Sequence, residues 1–204
     1  MEIQEQILIE SYKLFHKYGI KSVTMDDIAK QLSMSKKTLY KHFVNKKELV
    51  MNIMEVQISD TENRCVNMFE SADNAIHELL LVMEMIKTIF HDINPSLLFD
   101  LQKYHPKAWL LMEAHQNGFV HDLIEKTLER GVKEKLFRES LNIKILTKLR
   151  VEEMKASFNA EIFSPQEYNM EEVQIVMMEH FILGITTLEG HEMALEYQKK
   201  MKNA

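Results

Sequence analysis

The sequence predicts an all-α protein, and three observations carry that reading. Only five Gly and three Pro occur in 204 residues, so little interrupts a helical backbone. No alternating apolar–polar run of useful length marks a strand, whereas apolar residues recur at helical spacing along most of the chain. Between Thr24 and Phe43, two short apolar faces are separated by Ser33, Met34 and Ser35, the pattern of two helices joined by a tight turn. An apolar fraction of 46% is ample for a packed core, and the length allows a small domain joined to a larger one. The expected architecture is an N-terminal three-helix helix-turn-helix domain over residues 1–47 and a larger helical domain over 48–204.

The first helix is expected over residues 2–18, with Ile7, Leu8, Ser11, Leu14, Phe15 and Tyr18 on one stripe. Two short helices alone have too little core, so this stripe should cover Ile28, Leu32, Met34, Leu39 and Phe43. Thr24 starts the second helix with Asp27 three residues on, a capping-box spacing, and Ser35 is a suitable cap for the third. Asn45, answered by Glu48, opens a long helix to about residue 70 that should act as a stiff lever between the domains. Further segments are expected over about 72–92, just after Pro95, and over 106–135, 142–163 and 170–201, which makes about nine helices with Pro95, Pro106 and Pro165 falling between them.

The helix starts carry functional information. A helix N-terminus bears roughly half a positive charge, so a lysine there costs on the order of 0.3–1 kcal/mol. Asp26 and Asp27 obey that rule, but Lys36 and Lys37 break it at the third helix, and Lys46 and Lys47 break it at the fourth. An anion docked between these starts would meet open backbone N–H groups and ammonium groups together, and a phosphate backbone is the obvious candidate. The charge distribution agrees: nine Lys against six Asp or Glu leave residues 1–52 at +3, while the remainder stands at −9 within a net −6. Such asymmetry orients a molecule on a polyanion.

The run YGIKSVTMDDIAKQLSMSKKTLYKHFVNKKELV, Tyr18 to Val50, resembles the DNA-binding region of the TetR family of bacterial transcriptional regulators. The resemblance rests on Gly19, Asp27-Ile28-Ala29, Ser35, Thr38-Leu39-Tyr40, Phe43, and Lys46 or Lys47 ahead of Glu48-Leu49. It covers about fifty residues and is almost silent beyond them. This chain has Ser33 where the family usually has a turn Gly, at a cost of roughly 1–2 kcal/mol if the backbone is left-handed there. It also has Lys37 where the family often has Gly. A recognition helix presents its N-terminal residues to base edges, which selects Ser35, Lys36, Lys37, Thr38 and Lys41, flanked by Tyr40 and His42. The resemblance implies that Tyr40, Thr24 and Lys46 or Lys47 touch phosphates and that Lys36 and Lys37 read bases.

The resemblance further implies a homodimer on a pseudo-palindromic operator, acting as a repressor released by a small, largely apolar or amphipathic effector bound in the second domain. Fifteen Met and ten Phe suit a pocket for irregular apolar guests, although such residues are more often simply core. Trp109, Met112, His115, Gln116 and Phe119 mix bulk with polar groups on one side of a helix, and Phe69, Met83, Phe90, Met154 and Phe158 could complete a wall. In the last segment Val173, Val176, Met177, His180 and Gly184 form one apolar face and Ile175, Met178, Ile182 and Ile185 another. One of these faces is expected to meet a second copy in a four-helix interface with the preceding helix.

Other function classes find little support. Cys65 is a single cysteine, the histidines show no ligand spacing, and no nucleophile elbow or phosphate-cradling loop occurs, so neither metal, cofactor nor enzymatic activity is expected. With no leader and no apolar run of spanning length, a cytoplasmic protein is expected. The rival reading is a DNA-bound structural or adaptor protein whose second domain docks a protein.

Overall fold

Thr24, Ser35, Asn45, Asn74, Asn142 and Asn169 each place a side-chain oxygen on a backbone N–H three residues on, and each starts a helix. The computed structural model describes residues 2–202, with side chains over residues 2–199. The helices are α1 (Ile3–Tyr18), α2 (Met25–Gln31), α3 (Lys36–His42), α4 (Lys46–Ser71), α5 (Ala75–Phe90), α6 (Ser96–Tyr104), α7 (Pro106–His115), a π turn (Gln116–Val120), α8 (His121–Lys133), α9 (Ile143–Ser157), α10 (Met170–Ile185) and α11 (Leu188–Lys202).

Two expected segments are divided. Residues 106–135 become α7 and α8 with the π turn between them. Residues 170–201 become α10 and α11, because Thr186 and Thr187 turn the backbone onto the 136–138 segment: Arg138 N donates to Ile185 O at 3.0 Å and Thr187 N to Leu136 O at 2.9 Å. Thr187 then caps α11 through Gly190 N at 3.1 Å. The helix expected over 142–163 stops at Ser157, where Asn159 organises successive turns.

The chain forms two compact units, Met1–Thr61 with Asp92–His115, and Glu62–His91 with Gln116–Ala204. The expected boundary at 47/48 therefore gives way to a first unit that also contains α6 and α7. In it Ile7, Phe15, Ile28, Leu39, Phe43, Leu49 and Leu101 are almost wholly buried together, and Leu32 and Met34 pack against them. Burial of a side chain such as Leu39 is worth about 1.5–3 kcal/mol. The expected stripe of α1 holds except at Tyr18, which is 50% exposed because the helix ends there. Gly19 adopts φ 80°, a left-handed conformation that glycine reaches without strain, and a Cβ there would also press on the Ser96 hydroxyl. Asn94 N donates to His16 O at 2.8 Å and Lys21 N to the buried Asp100 Oδ2 at 2.7 Å, which fixes α6 to the end of α1.

In the second unit α5 packs on α8, α10 and α11, around Ile76, Leu80, Leu128, Phe137, Ile182 and Ile185. Gly131 of α8 leaves room for the Phe137 ring, which a Cβ would penetrate. Glu78 lies in this core at 4% exposure with every partner supplied. Arg130 Nη1 reaches it at 2.5 Å and Thr127 Oγ1 at 2.8 Å, while Arg130 Nε binds Glu134 at 2.7 Å and its Nη2 the Ala72 carbonyl at 3.1 Å. Among the described residues no helix is long and apolar enough to cross a membrane.

Candidate nucleic-acid interface

The start of α2 is a complete capping box. Asp27 N donates to Thr24 Oγ1 at 3.1 Å, and Asp27 Oδ2 accepts from both Thr24 N at 2.8 Å and Thr24 Oγ1 at 2.6 Å. The Thr24 hydroxyl, followed by its amide, holds the Asp27 carboxyl below its ordinary range. This modifies one expectation: the proton and amide that Thr24 would offer a phosphate are already committed to Asp27.

Between α2 and α3 the chain reverses through Ser33 at φ 52°, with Ser33 N on Lys30 O at 3.1 Å and Met34 N on Ala29 O at 2.9 Å. Steric conflict between Cβ and the following carbonyl disfavours this conformation for serine. Ser33→Gly is therefore expected to stabilise the first unit by about 1 kcal/mol, less the entropy of a freer unfolded chain. A urea midpoint that falls in the variant would show that the Ser33 backbone is not strained.

Ser35 accepts from Thr38 N at 3.1 Å, and the two hydroxyls are 2.8 Å apart. Leu39 and Phe43 fix the inward face of α3, at 0% and 1% exposure. Lys36, Lys37, Tyr40 and Lys41 are consequently exposed, and Thr38 and His42 are half-buried. Lys36 pairs with Asp26 of α2, both side chains being more than half exposed. An exposed pair of this kind contributes at most about 1 kcal/mol, so a nucleic acid can recruit Lys36 at little cost.

The two lysines that open α4 part company. Asn45 Oδ1 accepts from Glu48 N at 3.0 Å, but Glu48 reaches back to Val44 N, at 2.7 Å, rather than to its own cap residue. Lys47 is exposed. Lys46 turns inward: its ammonium donates to the carbonyls of Ile20 and Val23 and lies 5.7 Å from the Phe15 ring centre. Burial holds its pKa below the ordinary lysine value, with Asp100 and Asp27 opposing that shift. The phosphate contact expected of Lys46 is thus corrected to a structural role, because the loop between α1 and α2 leaves two carbonyls that need a donor. His105, buried at the α6–α7 junction, is held below the ordinary imidazole value by burial and then by Lys46 and Lys47.

The residues expected to share an effector wall are divided between the two units. Trp109 and Met112 pack against the core of the first unit, and His115 ends α7 in the same unit. Their side of α7 completes that hydrophobic core rather than a pocket wall. The others lie in the second unit. Gln116 is buried and Phe119 half-buried in the π turn, and Met83 is core. Phe90 and Phe158 pair with ring centres 5.9 Å apart. Met154 and Phe69 are half-buried. Sequence reasoning missed Thr147, Arg150, Ser157 and Gln174, all at least 97% buried polar residues. A helix-face plot of α9 could have found the first three, because spacings of three and seven put them on one side.

On α10, Met178, Ile182 and Ile185 point inward with Val173, while Val176, His180, Leu183 and Gly184 are exposed and Met177 is half-buried. A Cβ on Gly184 would meet nothing within 4 Å. Val173 therefore leaves the expected docking face for the core. Cys65 is buried against Met85, 3.9 Å away, and burial pushes its thiol up to about 11, too high for a reactive thiolate. His121, Asp122 and Glu125 stand together at the start of α8 as a partly exposed group of the kind common without an ion.

Residues 7–53 match the family model "Bacterial regulatory proteins, tetR family". Over 120 residues the chain is 32% identical to an uncharacterized HTH-type transcriptional regulator, YvaF, of Bacillus subtilis (strain 168), a match covering 55% of this chain and 59% of that protein. Its fold is similar to that of a transcriptional regulator FadR from Bacillus subtilis in complex with stearoyl-CoA, with TM-score 0.65, 16% identity, and coverage of 89% of this chain and 98% of that one. It is also similar to a putative transcriptional regulator from Saccharomonospora viridis in complex with choline, with TM-score 0.70, 16% identity, and coverage of 90% and 97%.

Proposed function

We propose that residues 7–53, which match the family model of bacterial tetR regulatory proteins, are a DNA-binding domain, and that the chain is a homodimeric transcriptional repressor that leaves its operator when a small effector binds the helical second unit. The observation that carries the DNA-binding part is the face of α3: Leu39 and Phe43 point inward, and Lys36, Lys37, Tyr40 and Lys41 remain exposed at a helix whose start already favours anions. The major groove admits such a helix, and Lys37 and Lys41, one turn apart, follow the same stripe.

Dimerisation is supported by the surface of α10 and α11. Val176, Leu183, Leu188 and Leu195 are between 43% and 87% exposed, and Gly184 lets a second backbone come close. The partner helix in this reading is α11, not the helix preceding α10. A two-fold dimer places two α3 helices on half-sites about one helical turn apart or a multiple of it, which requires a pseudo-palindrome. An effector that prefers a dimer with wrongly spaced α3 helices weakens DNA binding by its differential affinity for the two states. The FadR structure holds stearoyl-CoA and the Saccharomonospora viridis protein choline. For this chain we infer a small apolar or amphipathic effector, sensed in the cytoplasm.

The test is selection of binding sites from randomised duplex DNA, followed by titration at several salt concentrations. Lys47→Ala is expected to flatten the plot of log K against log salt by about 0.9 unit, the loss of one phosphate contact. Lys46→Ala is expected to leave that slope unchanged and to lower the stability of the first unit, since two carbonyls lose their donor. An unchanged slope in Lys47→Ala would remove this lysine from the DNA contacts, and enrichment of no sequence at all would overturn the regulator reading.

A further inference from the structure

Two arginines serve the interior of the second unit, and they differ in a way that packing alone does not explain. Arg130, with 32% of its side chain exposed, engages two carboxylates at 2.5 and 2.7 Å and a carbonyl at 3.1 Å. Arg150 is the more deeply buried, at 3% exposure, yet its partners are poorer. Its Nη1 lies 3.5 Å from Glu153 Oε2, at the limit of a hydrogen bond, and its Nη2 donates to the Met178 thioether at 3.3 Å, a weak acceptor. The Phe181 ring covers the guanidinium at 5.5 Å. A buried cation is ordinarily paired and fully hydrogen-bonded, because its desolvation is otherwise uncompensated.

A second observation lies one turn away. Thr147 is fully buried, and its hydroxyl has no hydrogen-bond partner among the described residues. Thr147, Arg150, Met154 and Ser157 follow one another on a single side of α9 at spacings of three and four. Gln174, Met178 and Phe181 repeat that spacing on α10, and Gln174 Nε2 donates to Ser157 Oγ at 2.6 Å. The buried side of α9 therefore presents an underused planar cation, against Met178 and Phe181 of α10, and one turn from it an underused hydroxyl.

We propose that Arg150, assisted by Thr147, is the anchor for the carboxylate of a monocarboxylic acid with an apolar tail, which is the effector of this protein. The assignment rests on the reading of the second unit as a sensor. A guanidinium matches a carboxylate with two parallel N–H donors, and here Glu153 engages only Nη1, at 3.5 Å, while Nη2 has only a thioether, so a single further carboxylate suits it. Burial pushes the guanidinium below its ordinary value, and Glu153 only opposes that shift. Met154 and Met178 are flexible enough to move aside for a head group, and their surroundings favour an apolar tail. The same cation disfavours a quaternary ammonium such as choline.

The experiment measures thermal unfolding of the full chain with straight-chain carboxylic acids of six to eighteen carbons, primary alcohols of the same lengths, and choline. It uses the wild type, Arg150→Met and Arg150→Lys. The expected result is that at least one acid raises the wild-type Tm and binds at least tenfold more tightly than its alcohol. Choline should give no shift, Arg150→Met should lose the tenfold preference, and Arg150→Lys should keep part of it. Without acid, Arg150→Met should unfold at the wild-type temperature or above it, since a poorly paired buried charge has been removed. An acid and alcohol of equal affinity, or an acid preference that survives Arg150→Met, overturns the assignment and leaves the sensor reading standing. So does an Arg150→Met chain that unfolds several degrees lower or does not fold, which would make Arg150 a structural strut. If no acid, alcohol or choline moves the wild-type Tm, the assignment falls, and the sensor reading is then decided separately by operator release with other compounds.

Discussion

Arg130→Ala is expected to lower the stability of the second unit by about 3–5 kcal/mol, measured as the urea midpoint followed by circular dichroism. The magnitude follows from what the substitution strands. Glu78 lies at 4% exposure and would keep only Thr127 as a partner, and Glu134, which also accepts from Ala75 N at 2.8 Å, would lose its cation. The carbonyl of Ala72 would lose its donor as well. An unpaired buried carboxylate must then be desolvated or protonated, and either alternative costs free energy that the native network avoids. Replacing Glu78 and Arg130 together by Met should restore part of the loss, because a well-packed apolar pair carries no desolvation penalty. A single variant within about 0.5 kcal/mol of wild type, the range of ordinary surface substitutions, would show that solvent reaches this network freely.

Lys37→Ala is expected to weaken binding to the selected operator by about 1–3 kcal/mol, roughly five- to 150-fold, and to relax preference at one base pair of each half-site. Lys37 is exposed on α3 and among the described residues has no ion pair to break, whereas Lys36 is held by Asp26. It also stands immediately before Thr38 and adds a cation at the DNA-facing end of the proposed recognition helix. Equal weakening on operator and on random duplex DNA would assign Lys37 to phosphate, and an unchanged affinity would remove α3 from the groove.

The local signals were legible because they depend on neighbours in sequence. The caps at Thr24, Ser35 and Asn45, the inward Leu39 and Phe43, and the left-handed Ser33 follow from short-range hydrogen bonding and sterics, and each lies where the spacing places it. The division of residues 170–201 was not legible, since the break depends on backbone bonds to Leu136 and Arg138, some fifty positions away. The fate of Lys46 was equally hidden. A lysine at a helix start reads as a solvated cation until the carbonyls of Ile20 and Val23 are brought to it.

Trp109 and Met112 teach the same distinction in the second half of the chain. Helical spacing marks an apolar face but does not name what covers it, and here the face belongs to the first unit. By itself the sequence determined that the protein is helical, where the helix-turn-helix lies, and which of its faces turns inward, because capping and apolar periodicity act within a few residues. Only the tertiary structure decided that α6 and α7 join the helix-turn-helix in the first unit, that Lys46 is structural, and that Arg150 is buried with such weak partners. Those outcomes depend on desolvation and on partners distant in sequence, which no local pattern encodes.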